Sequence, residues 1–240
     1  MKDHLLDLVS HTHDLGCIDL VKITGTETET TIAGIAEDRS VVVDARFAGP
    51  VPEFMGVFGM PNLNKLKILL NLPEYKENAK LNITRRDTGV LESIQFENAA
   101  GDFKNSYRFM ATEIINEKMK TMKFKGANWH VTFEPTAASI LRLKMQSQAN
   151  AEEPVFQVRT DNSDLKFFFG DHSTHAGDFV FQASVTGQIK RAWSYPVAAV
   201  INILSLTGDK VMKLSDDGVM QITVDSGLAV YNYILPAQSK

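Results

Sequence analysis

A single cysteine, Cys17, stands in 240 residues. It has no internal partner, so no disulfide can staple the fold. A reducing compartment, the cytoplasm, is the expected setting. Cys17 itself reads as a small buried residue at the start of a strand. No apolar run approaches the roughly 20 residues of a membrane helix, and Met1-Lys2-Asp3-His4 does not open like a signal peptide, so no membrane association is expected. Glycine-rich phosphate loops, a serine elbow and a thiol–imidazole signature are all missing, which leaves no common catalytic motif and no cofactor to expect. The formal net charge of −4 argues against a general nucleic-acid binder unless cations gather locally. One absence is local. Segments 61–72, 135–148 and 196–206 contain no Asp or Glu, where an even scatter of the chain's 29 acids would place about four or five.

What the chain does have is a 44% hydrophobic share, enough for a substantial core, and an internal repeat. The stretch Trp193 to Pro236 opens a short apolar helix at Pro196, ends it near Leu206, and continues as Val211–Leu214, Val219–Val224 and Leu228–Leu235. Asp217-Gly218 and Ser226-Gly227 are the hairpin turns between these runs. The same plan occurs earlier. Phe58-Gly59-Met60-Pro61 leads into a helix over 62–72, followed by Ala79–Thr84, Val90–Glu97 and Phe103–Met110. An offset of 135 residues carries Pro61 onto Pro196, Ile68-Leu69 onto Ile203-Leu204, and Leu5-Leu6 and Leu8 onto Ile140-Leu141 and Leu143. Two separate helices related by one offset imply a duplicated domain.

In chain order, 2–15 reads as a first helix stopped by Gly16. Strands follow at Cys17–Thr24, Thr28–Glu37 and Ser40–Phe47, then a loop at Pro50 and Pro52 and a short strand over Glu53–Phe58. The stretch 112–128 matches neither repeat and reads as a connector, either partly helical on Ile115, Met119 and Met122 or an ordinary solvated linker. The second unit begins with a strand at Trp129–Phe133 and a helix from Pro135 to Gln148. Its strands are Val155–Thr160, Leu165–Gly170, Asp178–Thr186 and Ile189–Tyr195. The expected fold is α+β, with two duplicated domains, each having two helices packed on mainly antiparallel sheets: 1–111, a connector over 112–128, and 129–240.

The acid-free helices carry Lys65, Lys67, Arg142 and Lys144 among amides such as Asn64, Asn71, Gln146 and Asn202. Such a face suits a passing polyanion; it is also what a chance solvated or buried face would show. The first helix breaks the pattern, with Asp3, Asp7 and Asp14 against Lys2, His4 and His11. A different chemistry would come from Asp171-His172-Ser173-Thr174-His175, where His172 and His175 could hold a divalent metal for a hydrolase. The spacing matches no metal signature, and the turn formers there read as a loop. His11 and His13 do not share a helix face.

The final run Asp217-Gly218-Val219-Met220-Gln221-Ile222 with Val230-Tyr231-Asn232-Tyr233-Ile234-Leu235-Pro236-Ala237, together with Trp193-Ser194-Tyr195-Pro196, resembles the DNA polymerase sliding clamps, the family of proliferating cell nuclear antigen and the tailed-phage clamps. The resemblance implies clamp-like domains and a DNA polymerase processivity factor. Such a protein is a non-catalytic ring that encircles double-stranded DNA without reading sequence, tethers a DNA polymerase, and is opened by an ATP-dependent clamp loader. Two-domain members close head to tail as homotrimers. The DNA-facing positions it implies are Lys65, Lys67, Arg142 and Lys144, then Lys2 and His11, with Lys190 and Arg191 adding charge from a strand. A pocket for a partner's hydrophobic peptide is implied at Ile115, Met119, Met122 and Phe124 and at Ile234, Leu235, Pro236 and Ala237. Ile234 reads equally as sheet core, whereas Leu235-Pro236 reads as exposed. The first unit has no strand before its helix, unlike family domains, so a monomeric processivity subunit of the herpesvirus kind also fits. Readings from other classes are the metal-dependent hydrolase and a self-associating structural protein of phage assembly.

Overall fold

The structure, a computed structural model, describes residues 1–87, 89–120, 124–171 and 175–238. It is α+β and divides into two compact units: Met1–Lys123 with Ser226–Tyr231, and Phe124–Asp225 with Asn232–Lys240.

In the first unit α1 (Lys2–His11) and a 3-10 turn at His13–Leu15 precede β1 (Leu20–Gly25), β2 (Thr30–Ile35) and β3 (Val42–Phe47). β4 (Gly56–Pro61), α2 (Leu63–Asn71), β5 (Lys80–Arg85), β6 (Leu91–Glu97), β7 (Lys104–Arg108) and α3 (Thr112–Lys118) follow. One sheet runs β4-β1-β2-β3, with the start of β15 (Ala229–Pro236) beside β3, and a second runs β5-β6-β7, all neighbours antiparallel where paired. Period-2 alternation of the β-branched strands sets the registers, so Val21 and Ile23 of β1 and Ile32 of β2 turn inward. The expected strand over Glu53–Phe58 is corrected: Pro52 starts a 3-10 turn through Phe54, and the strand begins only at Gly56. Proline has no N–H for a ladder but suits the first position of a helical turn. Nor does Pro61 open the next helix. It ends β4, and Asn62 caps α2, its side chain accepting from the Lys65 N–H at 3.0 Å. Leu63, Leu66, Leu69 and Leu70 bury the inner face of α2, each stabilising by about 1.5–3 kcal/mol.

The second unit holds β8 (Val131–Phe133), α4 (Ala137–Ala149), β9 (Val155–Asp161), β10 (Asp164–Phe169), β11 (Gly177–Gln182) and β12 (Trp193–Pro196). α5 (Val197–Leu204), β13 (Asp209–Ser215) and β14 (Val219–Asp225) complete it with the end of β15. One sheet runs β11-β10-β9-β12; in the other, the end of β15 lies beside β14, then β13, then β8. The core of the first sheet is aromatic: Phe167 stacks on Phe181 at 4.3 Å and on Phe156 at 4.6 Å between ring centroids. At the β13–β14 turn Gly218 takes φ +84, which a side chain rarely adopts, and a Cβ there would sit 3.0 Å from the Trp193 ring. β12 is four residues long. The expected strand over Ile189–Tyr195 is mostly loop, because Lys190 and Arg191 spend their backbone N–H groups on Asp216 rather than on a neighbouring strand.

Candidate nucleic-acid interface and partner surface

In the first unit α1 packs beside α2. The outward side of α2 presents Asn64, Lys65, Ile68 and Asn71, with Lys67 half-buried. The Lys67 ammonium lies 2.8 Å from the Asp14 carboxylate. A groove of about 460 Å3 between the helices includes Leu6, Ser10, Asp14, Lys67, Asn71 and Leu228. Lys65 is exposed and has no acid partner among the described residues.

Two residues expected to contact phosphate in this unit have other partners. His11 is 2% exposed. Its ring stacks on Tyr231 at 4.6 Å, and its Nδ1 lies 3.2 Å from the Asp7 carboxylate one helical turn back. Asp7 also accepts from the Tyr231 hydroxyl at 2.7 Å and from the Ser226 hydroxyl at 3.1 Å. Burial raises the Asp7 pKa, but the hydrogen bonds from His11, Tyr231 and Ser226 and the nearby His11 charge outweigh it and hold it below the ordinary carboxylate value. His11 is therefore part of a buried polar cluster. Lys2 is half-buried, and its ammonium donates to the carbonyls of Tyr75 at 2.5 Å and Lys76 at 3.2 Å, which ties it to the turn before β5.

In the second unit α4 buries only Leu143 fully. Its exposed side carries Ala138, Leu141, Arg142, Met145 and Gln148, with Leu141 and Met145 at 53% and 57%. The Arg142 guanidinium sits 5.4 Å from the centre of the Phe179 ring and donates to the Val180 carbonyl at 3.3 Å. Lys144 is half-buried. α5 turns Val197, Val200, Ile203 and Leu204 inward and shows Ala198 and Asn202 outward, with no charge. The outward helix side of this unit is thus uncharged apart from cations, and more apolar than its sequence suggested. Lys190 and Arg191 are exposed but lie in the loop before β12. Their N–H groups donate to Asp216 at 2.9 and 3.0 Å, which anchors them to the β13–β14 turn and not to a helix.

The partner-peptide residues divide sharply. Ile115 is buried where α3 docks on β4, and a Cβ on Gly59 would meet its Cδ1 at 3.0 Å. Met119, one turn on, is buried too. These are the inward face of α3; Ile114, which the spacing did not single out, is the exposed one. Phe124 is exposed, its ring 6.2 Å from that of Trp129. Ile234 is buried and Leu235 is 0% exposed, so the expectation of an exposed Leu235 is corrected. β15 continues through Pro236, and Tyr233, Ile234 and Leu235 are buried in succession, so both faces of its end are covered. Pro236 is exposed and Ala237 half-exposed, and the Ala237 N–H bonds to the Gly218 carbonyl at 2.8 Å. Met122 and His172 lie outside the described residues. Among the described residues no group of three His, Cys, Asp or Glu could hold a metal, and no helix is long and apolar enough to cross a membrane.

No known family profile matches the sequence, and no curated protein matches it. Solved structures do match. The chain is similar to proliferating cell nuclear antigen from Thermococcus kodakaraensis, at 12% identity and a TM-score of 0.68 over 99% of this chain and 97% of that one. It is similar to A. fulgidus PCNA, determined with the C-terminal region of FEN-1 bound, at 9% identity and a TM-score of 0.69 over 100% and 95%. The Entamoeba histolytica protein aligns at 9% and 0.65 over 99% and 94%. The fold is that of the PCNA sliding clamps along its whole length.

Proposed function

We propose that this chain is a DNA polymerase processivity factor, a sliding clamp that closes as a homo-oligomeric ring on duplex DNA. The observation that carries the reading is the clamp fold along the whole chain together with outward faces on α2, α4 and α5 that bear cations, amides and apolar groups but no acid. Lys65, Lys67, Arg142 and Lys144 are the phosphate-contacting residues in this reading. Contacts so few and so little directed at base edges hold DNA weakly and without sequence preference, which a sliding ring requires. The exposed Leu141 and Met145 make no ion pair with phosphate and so add no electrostatic friction. Phe124, Pro236 and Ala237 are the surface left for a partner's hydrophobic peptide; the A. fulgidus clamp was determined with the C-terminal region of FEN-1 bound. Three copies, each with two clamp-like domains, would complete the ring, and an ATP-dependent loader and a polymerase are its partners.

The test is topological. The protein is loaded on nicked circular duplex DNA, with a cognate or heterologous loader, and passed over a sizing column before and after the circle is linearised. A clamp stays with the circle and is lost from the linear form. Equal retention on both would overturn the reading.

A further inference from the structure

Each unit places a strand after its second helix, β5 in the first and β13 in the second. Their pairings correspond. Leu81 faces Phe96 and Ile83 faces Ile94, as Met212 faces Ile222 and Leu214 faces Met220. β13 has another neighbour. β8 runs antiparallel along its far edge, with Phe133 opposite Met212, Thr132 opposite Lys213 and Val131 opposite Leu214, and the chain then enters α4. β5 has only β6 beside it among the described residues. The chain enters α1 at Lys2, where the Met1 carbonyl already accepts the Leu5 N–H, and no strand among the described residues takes the corresponding place on β5.

The difference shows in the side chains. Met212 and Leu214 are 0% and 1% exposed under β8, whereas Leu81 and Ile83 stay half-buried although their partners on β6, Phe96 and Ile94, are fully buried. Leu81 and Ile83 line a groove of about 490 Å3 together with Met1, Pro52, Glu53, Asn82 and Arg85. Arg85 is fixed in place by donating to the carbonyls of Met55 and Gly89. A strand edge beside a half-covered apolar row offers both main-chain pairing and side-chain cover.

We propose that the free edge of β5 is a β-augmentation site for an extended peptide of a partner protein. The peptide carries an apolar–any–apolar triplet and runs antiparallel to β5, in the place β8 takes on β13. The register follows from the duplication: its apolar residues lie opposite Leu81 and Ile83, and its middle residue lies opposite Asn82. The inference does not depend on the clamp reading.

The probe is a capped synthetic peptide of residues 129–135 of this chain, which holds the Val-Thr-Phe triplet already seen on β13. The control is the same peptide with Val131→Asp and Phe133→Asp. Each is titrated into the full chain, labelled with nitrogen-15 and bearing no terminal tag, while amide shifts and amide exchange are followed. The expected result is a saturable shift at residues 80–85 and at Lys2, with exchange slowed several-fold within Leu81–Thr84, for the Val-Thr-Phe peptide only. No saturable shift at β5, equal effects of the two peptides, or shifts confined to β13 would overturn the proposal. So would self-association of the protein that buries β5 without any peptide, since the occupant would then be a second copy.

Discussion

Asp14→Asn is the most informative perturbation of the proposed DNA face. In the wild type the Lys67 ammonium is held 2.8 Å from the Asp14 carboxylate, and the two side chains are 45% and 36% exposed. A pair so open to water stabilises the fold by only about 0–1 kcal/mol. The variant should therefore fold normally while freeing Lys67 and removing one negative charge from the helix side. If Lys67 then meets a phosphate, each engaged copy gains one contact. The log–log salt slope steepens by about 0.9 per contact, so the ratio of affinities at 50 and 200 mM salt rises by roughly 3.5-fold. Lys65→Ala should make the slope shallower by the same amount, because Lys65 has no acid partner to give up. The assay is equilibrium binding to nicked circular duplex across that salt range, with urea midpoints as the folding control. An unchanged slope for Asp14→Asn beside a shallower one for Lys65→Ala would remove Lys67 from the interface. No change in either would refute the assignment of α2 to DNA.

Tyr195 buries its hydroxyl with no hydrogen-bond partner among the described residues, and burial pushes its pKa well above the ordinary tyrosine value. Tyr195→Phe should thus raise stability by about 1 kcal/mol, read as a higher urea midpoint; a loss of that size would show that the hydroxyl has a partner. Asp7 has a folded pKa below its ordinary value, so its contribution is complete above the usual carboxylate range and is lost as pH falls through the folded value. Asp7→Asn should therefore lower stability above the usual carboxylate range, a gap that closes as pH falls below about 4; a gap that persists unchanged in acid would leave packing, not charge, as its origin. Gly59→Ala would place a Cβ 3.0 Å from Ile115 Cδ1 and from Met110 Cβ, both in the seat of α3. It should cost about 1–3 kcal/mol by overpacking and speed proteolysis at Lys118 and Lys120, while unchanged cleavage would mean that α3 is not held there.

The duplication was legible in the sequence because proline, glycine and apolar spacing are local signals. The helices at Leu63–Asn71, Ala137–Ala149 and Val197–Leu204 and the hairpin at Gly218 followed from them within one or two residues. Which face of a short element is buried was not local. The family resemblance put His11 and Lys2 among the DNA-facing cations, but a carboxylate one turn back and two carbonyls far along the chain claim them. Those partners are set by packing that no spacing rule encodes. Leu235 read as a chain-end side chain because it lies close to the C-terminus; the continuation of β15 through Pro236 makes it core. The strand expected over 53–58 failed on a turn that proline opens, a signal present in the sequence at Pro52 but outweighed there by the β-forming residues after it.

The divergence between the two copies carries more than their likeness does. A duplicated domain begins with two equivalent sets of strand edges, and any difference between the copies must be accommodated by the packing around it. Here Met212 and Leu214, on the strand that β8 pairs with, are fully buried, while Leu81 and Ile83 at the matching positions of β5 are half-buried. Had the first copy closed over the missing strand, Leu81 and Ile83 would be as buried as their counterparts, or would have become polar. They are neither. The side chains suited to the strand remain while the strand itself is absent from the described fold, and an apolar row kept beside a bare edge is a standing risk of wrong pairing. It is compatible with a well-behaved protein when the edge is regularly occupied, which is why the peptide titration, and not a further comparison of folds, decides what the first unit is for.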